Sequence, residues 1–148
     1  MRSITICILV TFFLLSCNQN DDLTSTDNNS FSPDNIVGKI IILDGGTFKF
    51  SEFTTSGNCS VSTNITITGT PTYKYSKIDS KSADFSCSFI TGSSNSYSWI
   101  YMHHNPEITL NFNNANSGTY SLFDTIVTSN QWNSSTSFSS SKGTFTIN

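Results

Sequence analysis

The stretch that decides the fold is Ala83-Asp84-Phe85-Ser86-Cys87-Ser88-Phe89-Ile90, in which apolar and polar side chains alternate. Successive side chains of a β-strand point to opposite faces, so this period of two puts Phe85, Cys87 and Phe89 on one buried face. The same alternation recurs in short segments across residues 36–148, with turn residues between them. The sequence therefore predicts an all-β, antiparallel domain.

Turns rich in Gly, Asn, Asp and Pro separate the candidate strands of this domain. The strands are predicted at residues 38–43, 47–53, 61–68, 72–78, 83–90, 97–103, 108–112, 119–123, 132–138 and 144–147. A flat sheet of this kind would expose its apolar face to water, whereas a curled sheet buries it. We expect an up-and-down β-barrel of about 8–10 short strands, with a β-sandwich as the alternative.

The beginning of the chain has the pattern of an export signal. Arg2 precedes an apolar stretch, residues 4–15, that is shorter than the roughly 20 residues a membrane-spanning helix needs. Leu14-Leu15-Ser16-Cys17 then resembles the lipobox of bacterial lipoproteins, in which the cysteine becomes the acylated first residue. We expect residues 1–16 to be a signal peptide and Cys17 the lipid anchor. The alternative is an ordinary signal peptide with a cysteine near its cleavage site.

Residues 17–35 are predicted to be the lipidated cysteine and a disordered polar tether, because they are almost entirely Asn, Ser, Thr and Asp. The β-barrel domain would then span residues 36–148. Asp21 and Asp22 resemble the acidic export signal of surface lipoproteins of the Bacteroidota. The predicted location is the outer membrane, lipid-anchored, with display on the cell surface or towards the periplasm.

The second half of the chain is similar to small secreted lipoproteins of bacteria. The resemblance rests on strand motifs: Gly69-Thr70-Pro71-Thr72-Tyr73-Lys74-Tyr75, Ile108-Thr109-Leu110-Asn111-Phe112, Ser117-Gly118-Thr119-Tyr120 and Gly143-Thr144-Phe145. The segment Ile36-Val37-Gly38-Lys39 resembles the opening of lipocalin-like domains. What these likenesses imply is a lipocalin-like β-barrel; they carry no catalytic residue.

Two cysteines, Cys59 and Cys87, remain after the predicted signal and anchor, and both have the parity of buried positions. Disulfides persist in exported proteins. The sequence leaves two alternatives open, a Cys59–Cys87 disulfide or two unpaired buried thiols.

The sequence lacks the usual catalytic and cofactor-binding motifs, so we predict neither an enzyme nor a cofactor. Both histidines lie beside Glu107, and His103 and His104 are interpreted as solvated loop residues rather than metal ligands. The acids of the strand region are interpreted as solvated turn residues; they are Glu52, Asp79, Asp84, Glu107 and Asp124.

Aromatic residues are the remaining candidates for ligand binding. Tyr97, Trp99 and Tyr101 alternate on one predicted strand, and Trp132 lies in a polar segment. Aromatic rings with amide neighbours form sugar-binding surfaces, but they also fill small β-cores. For the strand residues we favour the core interpretation, while both interpretations stay open for Trp132.

The predicted function is a membrane-anchored binding module for a small apolar or amphipathic ligand or for an envelope protein. Alternatives are a carbohydrate-binding surface lipoprotein and a structural or inhibitory envelope protein. The only arginine is Arg2, and charged residues make up 11% of the chain, so we expect no nucleic-acid partner. The domain is expected to be a monomer.

Overall fold

The computed structural model describes residues 31–44, 48–94 and 98–148. The predicted signal peptide, Cys17, the Asp21-Asp22 pair and Tyr97 lie outside these residues, as does the predicted tether up to residue 30.

Within the described residues the chain forms eight antiparallel strands. They are β1 (Ile41–Leu43), β2 (Lys49–Ser51), β3 (Ser60–Ser62), β4 (Ile67–Lys77), β5 (Ser82–Ser94), β6 (Trp99–Asn114), β7 (Ser117–Asn130) and β8 (Ser134–Ile147). Except for β3 and β4, which share a single isolated bridge, each strand pairs with its neighbours in sequence, and β8 pairs with β1. The sheet therefore curls into a nearly closed up-and-down barrel, which confirms the predicted all-β antiparallel barrel.

Eight strands replace the ten predicted segments because two pairs of segments merge. The break predicted between the segments 97–103 and 108–112 is wrong, since β6 runs through Asn105 and Pro106. Pro106 lies opposite Asp124 on β7, and the N–H of Asn105 donates to Asp124 Oδ1 at 2.9 Å. A side-chain acceptor thus takes part in the bonding beside the proline, which has no N–H of its own. The last two predicted segments merge into β8.

Aromatic side chains fill the interior of the barrel. The ring of Phe85 packs edge-on against Phe50, with centroids 4.9 Å apart, and against Phe53 at 5.7 Å. Cys87 and Phe89 are buried on the same side of β5, as the alternation of residues 83–90 predicts. The most deeply buried large side chains are Phe50, Phe85, Phe145, Ile36, Ile41, Leu110, Thr91 and Pro106.

One end of the barrel is closed by residues 31–40. The backbone N–H groups of Phe31 and Ser32 both donate to the carbonyl of Ser80 in the β4–β5 turn. Tyr75 Oη donates to the carbonyl of Pro33 at 2.7 Å, and burial raises the pKa of this phenol. Residues 31–35, which the sequence assigned to the tether, therefore lie against the barrel.

Among the described residues, the opposite end is formed by the long strands and the β7–β8 turn. β1 ends at Leu43, opposite Phe145, whereas β8 begins at Ser134. We call the parts of β5 to β8 that extend past β1, residues 90–94, 99–103, 125–130 and 134–140, the distal extension. Residues 134–140 of β8 are exposed on both faces.

Candidate functional site

A shallow depression of about 580 Å³ crosses the outer face of β4 to β7, and we call it the outer groove. Outward-facing side chains form its walls, and they are Lys74, Ser76, Asp84, Ser86, Glu107, Thr109, Ser121 and Phe123. Phe85, Ile108 and Leu122 of the barrel core also line it. The groove therefore combines many hydroxyl and carboxylate groups with one exposed aromatic ring.

The register of the sheet brings these side chains together. In one row across the strands Ser86 lies opposite Glu107, which lies opposite Phe123. In the next row Asp84 lies opposite Thr109, and Thr109 Oγ1 donates to Asp84 Oδ1 at 3.2 Å. Because every second residue faces outward, one stretch of each strand supplies both the core and the groove.

Phe123 forms the aromatic part of the groove. It is 47% exposed and stacks on Phe138 of β8, with ring centroids 5.7 Å apart and planes at 19°. Phe138 is itself 66% exposed, so both rings stand on the outer surface of the barrel. Exposed and stacked rings offer a flat apolar platform beside polar groups.

Three of the aromatic residues singled out from the sequence are described, and they lie in the distal extension or at its end: Trp99, Tyr101 and Trp132. None of the three is among the residues that line the groove. Trp99 is 37% exposed and pairs with the half-buried Tyr101 on the outer face of β6, with centroids 5.6 Å apart. The core interpretation of Trp99 is therefore wrong. Trp132 is 74% exposed in the β7–β8 turn, where its backbone N–H donates to Asn130 Oδ1.

The two histidines point to opposite faces because β6 continues through them. His103 is exposed, whereas His104 is only 7% exposed, so the solvated-loop interpretation of His104 is wrong. Over the ranges that the structure describes, no group of three or more His, Cys, Asp or Glu side chains is placed to hold a metal ion.

His104 belongs to a hydrogen-bonded network inside the barrel. Its Nδ1 atom lies 2.8 Å from Asp124 Oδ2, and its Nε2 atom lies 3.1 Å from Thr91 Oγ1. Asp124 is 2% exposed, so the solvated-turn interpretation of this acid is wrong. The sequence does carry a signal, because His104 has the parity of Ile108 and Asp124 has the parity of Leu122.

The hydroxyl of Thr91, the imidazole of His104 and the carboxylate of Asp124 follow the order of a catalytic triad. Here, however, the three groups are buried and a substrate cannot reach them. Thr91 is only 1% exposed. The imidazole of His104 stacks on Phe89 at 4.8 Å, and Phe48 approaches it edge-on at 5.9 Å. The geometry supports a structural role, in which each polar group satisfies another in the core.

The two thiols meet in the interior, as their parity predicts. Cys59 Sγ lies 3.6 Å from Cys87 Sγ, and both residues are buried. The hydrogen bond from Cys87 lowers the pKa of the Cys59 thiol. The same hydrogen bond and burial raise the pKa of Cys87.

Comparison with models of known protein families, with curated proteins and with solved structures gave no match. In the part of the chain that the structure describes, no helix is long and apolar enough to span a membrane.

Proposed function

We propose that this protein is a membrane-anchored, non-enzymatic lipoprotein that binds a glycan in the outer groove. The observation that carries the proposal is the groove itself, where an exposed aromatic ring adjoins hydroxyl and carboxylate side chains. A carbohydrate-binding surface lipoprotein was one of the alternatives predicted from the sequence, and in the proposed site the glycan binds on the outside of the barrel.

The packing of the interior supports the outer face over an internal ligand site. Phe50, Phe85 and Phe145 are each at most 1% exposed and lie at the centre of the barrel. An internal site for a small apolar ligand needs an apolar cavity of several hundred cubic ångströms. Large aromatic side chains are buried in the interior here, while the outer groove is open to solvent.

The chemistry of the groove fits a neutral, hydroxyl-rich ligand. Carboxylates of Asp84 and Glu107 accept hydrogen bonds from sugar hydroxyls, and the Ser and Thr side chains both donate and accept. Phe123 offers its ring face to the apolar face of a sugar. The ammonium group of Lys74 offsets part of the negative charge, so the groove does not favour a strongly ionic ligand.

The anchor belongs to the same proposal. The lipobox that ends at Cys17 and the polar residues after it support attachment to the outer membrane, and the Asp21-Asp22 pair supports display at the cell surface. A domain held at the cell surface meets glycans of the surroundings directly.

The test is a glycan array followed by titration calorimetry, with the full chain extracted from membranes in detergent. We expect Phe123→Ala and Glu107→Gln to weaken binding at least about tenfold, which corresponds to about 1.4 kcal/mol. Thr119→Ala is the matched control, since Thr119 is exposed on β7 and is not among the residues that line the groove. It should bind like the wild type.

Two outcomes would overturn the glycan proposal. One is the absence of any retained glycan across the array. The other is binding that Trp132→Ala abolishes while Phe123→Ala leaves it intact, which would move recognition to the β7–β8 turn at the end of the distal extension. Equal unfolding midpoints of the variants would show that the differences come from binding.

A second candidate function is attachment to an envelope protein through the edge of β8. Among the described residues no strand pairs with the free side of residues 134–141, and these residues include neither a charge nor a proline. Natural edge strands usually carry such residues, which prevent the addition of a further strand. The unprotected edge fits an extended segment of a partner that adds to the sheet.

The edge candidate is tested by in-cell crosslinking followed by mass spectrometry. Ser137→Lys and Ser139→Lys would place charges on exposed positions of the edge and should abolish a specific crosslink, while Thr119→Lys should retain it. Crosslinks that persist in the edge variants would exclude β8 as the contact.

A further inference from the structure

The barrel has one seam, between β3 and β4. In the described residues, every other pair of neighbouring strands shares a ladder of at least two paired positions. Across the seam there is a single isolated bridge, Asn58 with Thr72. Two backbone hydrogen bonds accompany it, from Cys59 N to the Pro71 carbonyl at 3.0 Å and from Tyr73 N to the Gly57 carbonyl at 2.7 Å.

Cys59 lies at this seam and points into the barrel. Its backbone N–H donates to the Pro71 carbonyl of β4 across the seam, and its Sγ atom lies beside Cys87 Sγ of β5. There Cys87 lies opposite Tyr73 in the β4–β5 register, one of the two residues whose N–H groups bridge the seam. The thiol pair therefore connects the segment before β3 with the five long strands.

We propose that Cys59 and Cys87 form a disulfide that fastens this seam. The proposal is independent of the ligand that the outer groove binds. It assigns a covalent bond to the boundary between described strands that has an isolated bridge in place of a ladder.

The distance between the sulfur atoms makes the bond attainable. The Sγ atoms must approach from 3.6 Å to about 2.05 Å, the length of a disulfide. β3 has only three residues and follows a loop, so it can shift towards β5 more easily than the long strands can move. The interior position of both sulfur atoms means that no side chain has to turn inward from solvent.

The reaction consumes an external disulfide of the class that oxidises protein thiols, such as oxidised glutathione. The Cys59 thiolate attacks that disulfide, forms a mixed disulfide and releases one thiolate. Cys87 then loses its proton, attacks Cys59 Sγ and displaces the second thiolate. In total two protein S–H bonds are replaced by one S–S bond, and the external disulfide is reduced to two thiols.

The bond would change how the barrel opens. β1, β2 and β3 form a small meander of three-residue strands, held to the remainder through the β1–β8 ladder on one side and through the seam on the other. With the disulfide in place, the meander cannot separate from β4 and β5. Without it, the single bridge is the weakest boundary of the sheet.

The first experiment treats the full chain, purified in detergent, with oxidised glutathione and maps its peptides without reduction. We expect a peptide containing Cys59 to be recovered linked to a peptide containing Cys87. Recovery of both residues as alkylated free thiols, after oxidation and denaturation, would overturn the proposal.

The second experiment measures thermal unfolding with and without reductant. We expect reduction to lower the melting temperature of the oxidised protein by about 10 °C. The double variant Cys59→Ala/Cys87→Ala should be insensitive to reductant. Val61→Ala, at a buried neighbour on β3, is the matched control and should keep the response while being less stable overall.

Hydrogen exchange locates the effect. Reduction should speed exchange at the N–H groups of Cys59 and Tyr73, which bridge the seam, and leave the centres of β6 and β7 unchanged. A melting temperature that does not respond to reductant, or faster exchange spread evenly over all strands, would contradict a bond that acts at the seam.

Discussion

The Nδ1 atom of His104 lies 2.8 Å from Asp124 Oδ2 in the interior of the barrel, with both side chains nearly inaccessible to water. Thr91 and the backbone N–H of Asn105 complete the hydrogen bonding of this pair. In the described residues no buried side-chain nitrogen or oxygen lacks a partner. The stability of the barrel therefore depends on polar groups that satisfy one another, in addition to the aromatic core.

Replacing His104 should be strongly destabilising. His104→Ala leaves the Asp124 carboxylate buried without its main partner, and breaking a buried pair in this way costs about 3–5 kcal/mol. Urea unfolding measures the change. His103→Ala is the control, because its exposed side chain lies on the opposite face and should change stability by less than about 0.5 kcal/mol.

A double-mutant cycle tests the pairing itself. Asp124→Ala combined with His104→Ala should destabilise the protein by clearly less than the two single changes together, since each single variant leaves the other group unpaired. Additive effects of the two substitutions would contradict the buried pair.

The aromatic core should respond differently from the aromatic surface. Phe85→Ala removes the ring that contacts Phe50, Phe53 and Tyr73, and such a substitution costs about 3–5 kcal/mol. Phe138→Ala removes an exposed ring and should cost less than about 1 kcal/mol. Similar losses in urea unfolding for both variants would show that the barrel interior is not packed around Phe85.

Alkaline pH should weaken the closure of the barrel by residues 31–40. Burial raises the pKa of Tyr75 above its ordinary value of 10.0, so the fold favours the protonated phenol. The stabilisation is fully present below pH 10.0 and is lost as the pH rises through the pKa of the folded state. Unfolding midpoints measured across this range should fall more steeply for the wild type than for Tyr75→Phe. Parallel profiles would contradict the assignment.

Substitution of Cys17 tests the anchor. In cells fed a radioactive fatty acid, the wild type should take up label and fractionate with membranes. Cys17→Ser should do neither, while Cys7→Ser, within the predicted signal peptide, should retain both. Membrane attachment that persists in Cys17→Ser would mean that the chain is held in another way.

The alternation of apolar and polar residues was sufficient to predict the all-β antiparallel barrel. The alternation around Phe85, Cys87 and Phe89 places all three in the interior. The turn signals gave most strand boundaries to within a few residues. Alternation predicts burial here because nearly every strand has one face towards the core, so the parity of a residue indicates whether its side chain is buried.

The same alternation could not predict which residues of different strands lie opposite each other. Pro106 predicts the end of a strand, yet Asp124 on β7 accepts a hydrogen bond from the N–H of Asn105 beside it, and the strand continues. His104 and Asp124 were interpreted as solvated because neither has a hydrogen-bonding partner close in sequence, and only the register of β6 with β7 brings them together. The groove likewise depends on cross-strand rows. The parity of Phe123, opposite to that of Leu122, indicates an outward side chain, but it does not show which residues of β5 and β6 lie beside it.

The two ends of the barrel differ, since residues 31–40 close one end and the distal extension forms the other. The described chain begins at Phe31 beside the β4–β5 turn, and a strand such as β7, with 14 residues, is about 45 Å long. If the protein is attached through residues that precede Phe31, Trp132 lies at the end of the barrel far from the attachment, and the outer groove lies between the two ends. The length of β5 to β8 thus sets the distance between the closed end of the barrel and Trp132.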